Sequence, residues 1–230
     1  MPIAAHIISL NLSSNKINSV PPEIGAACPG LQQLDLSGNN IQKIENLDSL
    51  TTLRSLIINS NSVIRIEGLS ALEQLDTLEL SNNRISTIGQ LWNNLQLKTL
   101  ILAQNRIRNL GDLLQNRELE FLDLRENLIS TLEEADFKLP SMLKCLYLGS
   151  NKLDDILQPR ILEFLEHLEE VDFTNNPFME FLQFNRVNIA AFLLVLLNFR
   201  IRFLNFKHVE EADVHRARTL FVDPNSGATR

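Results

Sequence analysis

LRSLIINSNSVIRIEGLSALEQLDTLELSNNRISTIGQLWNNLQLKTLILAQNRI, residues 53–107, contains one short phrase three times. The phrase is L-x-x-L-x-L-x-x-N with an apolar residue two places on, and its asparagines are Asn61, Asn83 and Asn105. Working outward, the same register holds at Asn15 and Asn39 before this stretch and at Asn127, Asn151 and Asn176 after it. Successive asparagines are 24, 22, 22, 22, 22, 24 and 25 residues apart. Composition agrees: 43 Leu and 24 Asn in 230 residues give a Leu share roughly twice the usual.

Alternation around L-x-L is strand period, so the two apolar residues face one way and their neighbours the other. A single coil has only one layer of apolar residues and nothing to cover it. Stacking coil on coil buries each layer, with a gross gain of about 1.5–3 kcal/mol per buried Leu. The asparagine ends the strand, where its amide can both donate to and accept from turn backbone that would otherwise be buried unpaired.

Such units resemble the leucine-rich repeat. The segments IQKIENL (41–47), VIRIEGL (63–69) and ISTIGQL (85–91) resemble its 22-residue class, typified by a protein phosphatase-1 regulator, the light chain 1 of outer-arm dynein and the spliceosomal A-prime protein. The resemblance covers residues 7–218. It implies an α/β repeat fold, a right-handed solenoid with a concave parallel sheet, convex turns and short helices, and a helical C-terminal cap. The expected division is eight repeats over 1–178, the cap over 179–218 and a flexible tail over 219–230. In the cap, Leu204-Asn205 stands where that class usually has Leu-Asp, and no proline interrupts the helix expected before Leu197. At the other end, either Met1–Ala5 forms an edge strand or a partner covers the first coil. The longer repeat at 154–168, DDILQPRILEFLEHL, has near-helical apolar spacing with Pro159 in an early turn, and predicts a true helix on the convex side.

Several function classes are disfavoured. With 21 Lys plus Arg against 28 Asp plus Glu, the net charge of −7 does not suit gripping nucleic acid by its phosphates. The apolar run IAAFLLVLL (189–197) is far shorter than the roughly 20 residues a membrane span needs. MPIAAHIISLNL (1–12) has no base ahead of its apolar residues, so no secretory leader is expected. Two cysteines, Cys28 and Cys145, make no disulfide framework. The expected setting is therefore cytoplasmic, with cilium and nucleus both open. No nucleophile elbow, phosphate loop or dinucleotide fingerprint occurs, and the carboxylates lie on repeating coils, so no enzyme, cofactor or metal is expected. His208 and His215, near Glu210, Glu211 and Asp213, are too far apart for a common ligand pair and read as a solvated cap surface.

What remains is the concave surface. Counting from the first Leu of each phrase, places 2, 3, 5, 7 and 8 face outward; they hold nine acids and four bases. The fifth place reads Asn11, Asp35, Ile57, Glu79, Ile101, Asp123, Tyr147, Asp172, a stripe of acids and apolar residues about 34 Å long. Outward Ile57, Ile101, Phe121 and Tyr147 are either strand-forming choices on an unused face or anchors of a contact site, and their alignment favours the contact site. The expected partner-binding set is Asp35, Ile57, Glu79, Ile101, Phe121, Asp123, Tyr147 and Asp172, and the expected partner is a basic amphipathic helix or small domain held by a non-catalytic adaptor, itself a monomer within a hetero-complex. The resemblance implies three particular roles: an axonemal dynein subunit, a spliceosomal subunit holding an RNA-recognition protein, and a phosphatase-1 regulator.

Overall fold

Each phrase supplies one three-residue strand. In the computed structural model, which describes residues 6–197 and 199–221, these are β1 (Ser9–Asn11), β2 (Gln33–Asp35), β3 (Ser55–Ile57), β4 (Thr77–Glu79), β5 (Thr99–Ile101), β6 (Phe121–Asp123), β7 (Cys145–Tyr147) and β8 (Glu170–Asp172). They stand in chain order, each parallel to the last, with Leu34, Leu56, Leu78, Leu100, Leu122, Leu146 and Val171 in register. Inward residues of the coils from the second onward are buried, with Ile156 of the seventh only partly so; in the fourth they are Leu75, Leu78, Leu80, Ile85, Ile88 and Leu91. The first coil differs, because Ile7, Leu10, Leu12 and Ile17 are only partly covered. The edge strand expected at Met1–Ala5 lies outside the described residues.

The asparagines tie the stack together. Asn83 Nδ2 donates to Leu80 O (3.1 Å) in its own coil and to Ile58 O (2.9 Å) in the coil before, while its Oδ1 accepts from Val63 N (2.9 Å). The same three-way bonding recurs at Asn39, Asn61, Asn105, Asn127, Asn151 and Asn176. The residue just before each asparagine is left-handed in all eight coils: Ser14, Gly38, Ser60, Asn82, Gln104, Glu126, Ser150 and Asn175 have φ between 53° and 65°. Only one of the eight is glycine, so the fold accepts a backbone penalty once per coil in order to turn the asparagine inward.

The convex side is mostly turns. The first coil has one helical turn, α1 (Ile24–Ala27), and the sixth a 3₁₀ turn, Ala135–Phe137. The longer seventh coil carries a 3₁₀ helix over Gln158–Phe164 where an α-helix is expected from sequence. Gln158 explains this difference. Its Oε1 accepts from Leu132 N at 2.5 Å and its Nε2 donates to Thr131 Oγ1 at 3.2 Å, tethering the segment to the previous coil. A 3₁₀ helix rises about 2.0 Å per residue against 1.5 Å in an α-helix, so the tethered segment spans more of the convex side.

The cap closes the last layer. Pro177 opens α2 (Pro177–Phe184), and Phe178 seals Phe173 edge-on at 5.7 Å. Arg186 turns the chain with φ 56°, and Asn188 Oδ1 caps α3 (Ile189–Leu196) by accepting from Ala191 N. The single helix expected here is thus two. A short strand, β9 (Phe203–Leu204), extends the sheet parallel to β8; β10 (Lys207–His208) folds back antiparallel, and α4 (Glu211–Phe221) ends the described chain. That helix runs past residue 218, and the tail expected beyond Phe221 lies outside the described residues.

Candidate partner-binding face

The concave sheet has a centre and a rim. The central row is the fifth place of each phrase, and the rim is the second. Asp35, Ile57, Glu79 and Ile101 are half-exposed on adjacent strands, as is Phe121 in the third place of the sixth coil. Both acids are oriented by neutral neighbours. Asp35 accepts from Ser37 N (2.9 Å) and Asn11 Nδ2 (3.2 Å); Glu79 accepts from Asn59 Nδ2 (2.8 Å). Among the described residues neither carboxylate has a cation within salt-bridge distance.

Along the rim the charge alternates coil by coil: Arg54, Asp76, Lys98, Glu120, Lys144, Glu169, Arg202. Two neighbouring pairs touch, Lys144 Nζ with Glu120 Oε1 at 3.0 Å and Arg202 Nη1 with Glu169 Oε2 at 3.3 Å. Exposed pairs of this kind contribute at most about 1 kcal/mol, so the alternation matters more for what it presents than for stability.

The far end of the face is closed by its own side chains. Tyr147 is 9% exposed, Asp123 2% and Asp172 1%, so these three sequence-expected contact residues face the concave side but are covered. Phe206 covers Tyr147 and Arg125 pairs with Asp123; Phe206 stands at the tip of the β9–β10 hairpin, where Asn205 and Phe206 are both left-handed (φ 52° and 62°). The Phe206 ring meets Tyr147 edge-on at 5.2 Å, and Tyr147 meets Phe121 at 5.1 Å. The Arg125 guanidinium lies 5.1 Å from the Tyr147 ring and 5.5 Å from that of Phe206, and its Nε bonds Asp123 Oδ1 at 3.0 Å. The Asp123 carboxylate holds Arg125 above the ordinary guanidinium pKa, and burial, with Glu170 adding to it, pushes the Tyr147 hydroxyl up. Asp172 Oδ1 accepts from Thr174 N at 2.9 Å, while its buried Oδ2 has no donor among the described residues. Gly149 makes room for that carboxylate, since a side chain there would collide with it.

The sequence reading missed Phe206, because its reach depends on the hairpin angle and not on the repeat register. It also missed a second asparagine column on the opposite side. Asn94 Nδ2 donates to Leu69 O (3.0 Å) and Leu72 O (2.9 Å), and Asn116 Nδ2 to Leu91 O (3.0 Å) and Asn94 O (2.9 Å). The signal was present: both asparagines lie 11 residues after a phrase asparagine, Asn83 or Asn105. The sole tryptophan, Trp92, stands 62% exposed on the convex side. Cys145 is half-buried on the concave strand, and Cys28 is buried. His208 Nδ1 sits 3.2 Å from Glu210 Oε1, and the described residues include no group of three or more His, Cys, Asp or Glu placed to hold a metal. Among those residues no helix is long and apolar enough to cross a membrane.

A family signature described as leucine rich repeat matches residues 5–63. No curated protein matches the chain significantly in sequence. Among solved structures, a leucine-rich repeat protein of Leptospira interrogans superposes with a TM-score of 0.70 at 25% identity, covering 86% of this chain and 49% of that one. Two internalins of Listeria monocytogenes are also similar. Internalin F gives a TM-score of 0.67 at 24% identity over 86% of this chain and 60% of that one. Internalin C2 gives 0.62 at 24% identity over 74% and 72%. The chain thus spans about half to three fifths of the first two. The fold is the leucine-rich-repeat solenoid, a scaffold generally used for binding other proteins.

Proposed function

We propose that this chain is a non-catalytic adaptor that holds a segment of a partner protein on the open part of its concave face, over β2 to β5 with Phe121 at its edge. The observation that carries this reading is the central row: apolar Ile57 and Ile101 stand half-exposed between Asp35 and Glu79, two carboxylates oriented but not neutralised. Apolar anchors supply affinity, and uncompensated acids orient a basic partner and speed its approach. The closed end, from Asp123 to Asp172, acts as a fixed wall that limits where the partner lies.

We extend the reading to a cytoplasmic hetero-complex in which the chain is a monomeric subunit. Of the assemblies that the 22-residue class serves, the outer dynein arm ranks first, on chain length and cap; the spliceosomal A-prime role and phosphatase-1 regulation follow. A tagged pull-down from the native cell, beside the Ile57→Asp/Ile101→Asp variant, tests this. Loss of one set of proteins with the variant supports the face, and the identity of that set chooses the assembly. Equal recovery by both baits rejects the concave face as the main interface.

A further inference from the structure

The concave face has a period of two coils, not one. In the central row acids and apolar residues alternate, Asp35, Ile57, Glu79, Ile101, one per strand. At the rim the alternation is in phase with it from the third coil on: coils with an apolar centre carry Arg54 or Lys98, the coil with Glu79 at its centre carries Asp76, and the coil with Asp35 carries neutral Gln32. Acidic bars therefore alternate with bars that are apolar in the middle and basic at the edge. With strands about 4.8 Å apart, like bars repeat about every 9.6 Å.

We propose that the occupant of the open face is a single α-helix lying along the solenoid axis, across the strands, with a base and an apolar residue alternating on the edge that meets the sheet. This rests on the reading of the concave face given above. On one helix edge, residues three and seven places on lie about 4.5 and 10.5 Å away. Two heptads with a base at the first place and an apolar residue at the fourth thus span about 15.0 Å, against about 14.4 Å for the four bars from Asp35 to Ile101. An extended strand presents same-face side chains about every 6.7 Å and falls out of step by the second bar. The rim lies about 10 Å from the central row, three residues along the strand, within reach of the flank of a helix about 10–12 Å wide. Acids on that flank meet Arg54 and Lys98, which fixes the direction of the helix. Phe206 and the ion-paired coils beyond β5 end the track, so about two heptads dock.

The test uses the full chain and two synthetic helical peptides of about three heptads, read by fluorescence anisotropy at low salt. One has Lys at the first and Leu at the fourth place of each heptad; the other has the same composition and helicity with that spacing permuted. The matched peptide is expected to bind at least about tenfold more tightly. Glu79→Leu is expected to remove this preference and to favour a third peptide with Leu at both places. Equal binding of the first two peptides, lost on Ile101→Asp, overturns the alternation while leaving the concave face as the site. Equal binding that Ile101→Asp does not change rejects the concave-face reading as well. Binding of none of the three peptides overturns the helical occupant.

Discussion

Phe206 lies against the ring of Tyr147, 5.2 Å between centroids and 63° between planes, although the two residues belong to different parts of the molecule. One is the tip of the cap hairpin and the other the centre of the seventh coil, with Arg125 beside both rings. Removing the outer ring should uncover the inner one. Phe206→Ala is expected to lower unfolding free energy by about 1–2 kcal/mol, the value of an aromatic pair with a cation–π contact, as read by urea denaturation. The half-exposed row from Asp35 to Ile101 should be unaffected, so binding there should survive.

Tyr147 is the only tyrosine, so tyrosinate absorbance reports on it alone. Burial raises its folded pKa above the ordinary 10.0. An acid whose neutral form is favoured by folding contributes stability that is fully present below the unfolded pKa. That contribution is lost as pH rises from there towards the folded pKa. The native protein should show little tyrosinate at pH 10, and stability should fall as pH climbs beyond it. Tyr147→Phe should flatten that fall, and Phe206→Ala should bring the titration down towards the ordinary value.

Asn105 donates to Leu80 O and Leu102 O and accepts from Ile85 N, all buried. Asn105→Leu would leave those groups unpaired, at about 1–3 kcal/mol for each one left unsatisfied. Among the described residues Asn15 bonds within its own coil, to Leu12 O and Ser13 O, both partly exposed. Asn15→Leu should therefore be the milder change by at least about 2 kcal/mol in thermal or chemical unfolding. Equal losses at both sites would show that bonding between coils adds nothing.

Gln104 holds φ 57°, where glycine has no penalty, and its side chain makes only exposed bonds to Glu126. Gln104→Gly should stabilise the fold by about 0.5–1 kcal/mol, seen as a higher Tm, because relief of the left-handed backbone exceeds glycine's entropy cost and the loss of an exposed contact.

Ile101 and Leu102 are neighbours with opposite faces. Leu102→Ala, inside the stack, should cost about 2–5 kcal/mol. Ile101→Asp, on the concave side between Glu79 and Asp123, should cost under about 1 kcal/mol, mostly from like-charge neighbours, yet remove partner binding. Paired unfolding and binding curves separate the two effects.

The stack, its register and its inward residues could be read from the phrase L-x-x-L-x-L-x-x-N alone, because a period repeated eight times leaves one arrangement that stacks the phrase's apolar residues on one another. The outward places of the open half were readable for the same reason: Ile57 and Ile101 keep the repeat register and stand half-exposed among the described residues. The closed half was not. Tyr147 keeps an equally outward place, but its burial depends on where a two-residue hairpin outside the repeat aims Phe206. The helix expected over 154–168 also depended on one long-range bond pair, Gln158 to Leu132 and Thr131, which apolar spacing does not encode.

The two-coil period also limits how a chain of this kind could change length. Excising one coil, residues 75–96, would join compatible backbones and keep the asparagine column intact. Yet it would set Lys98 beside Arg54 and Ile101 beside Ile57, like against like, and halve the acidic bars. Excising two adjacent coils would restore the pattern. As a fold, this protein is modular by one coil; as a binding surface, it is modular only by two.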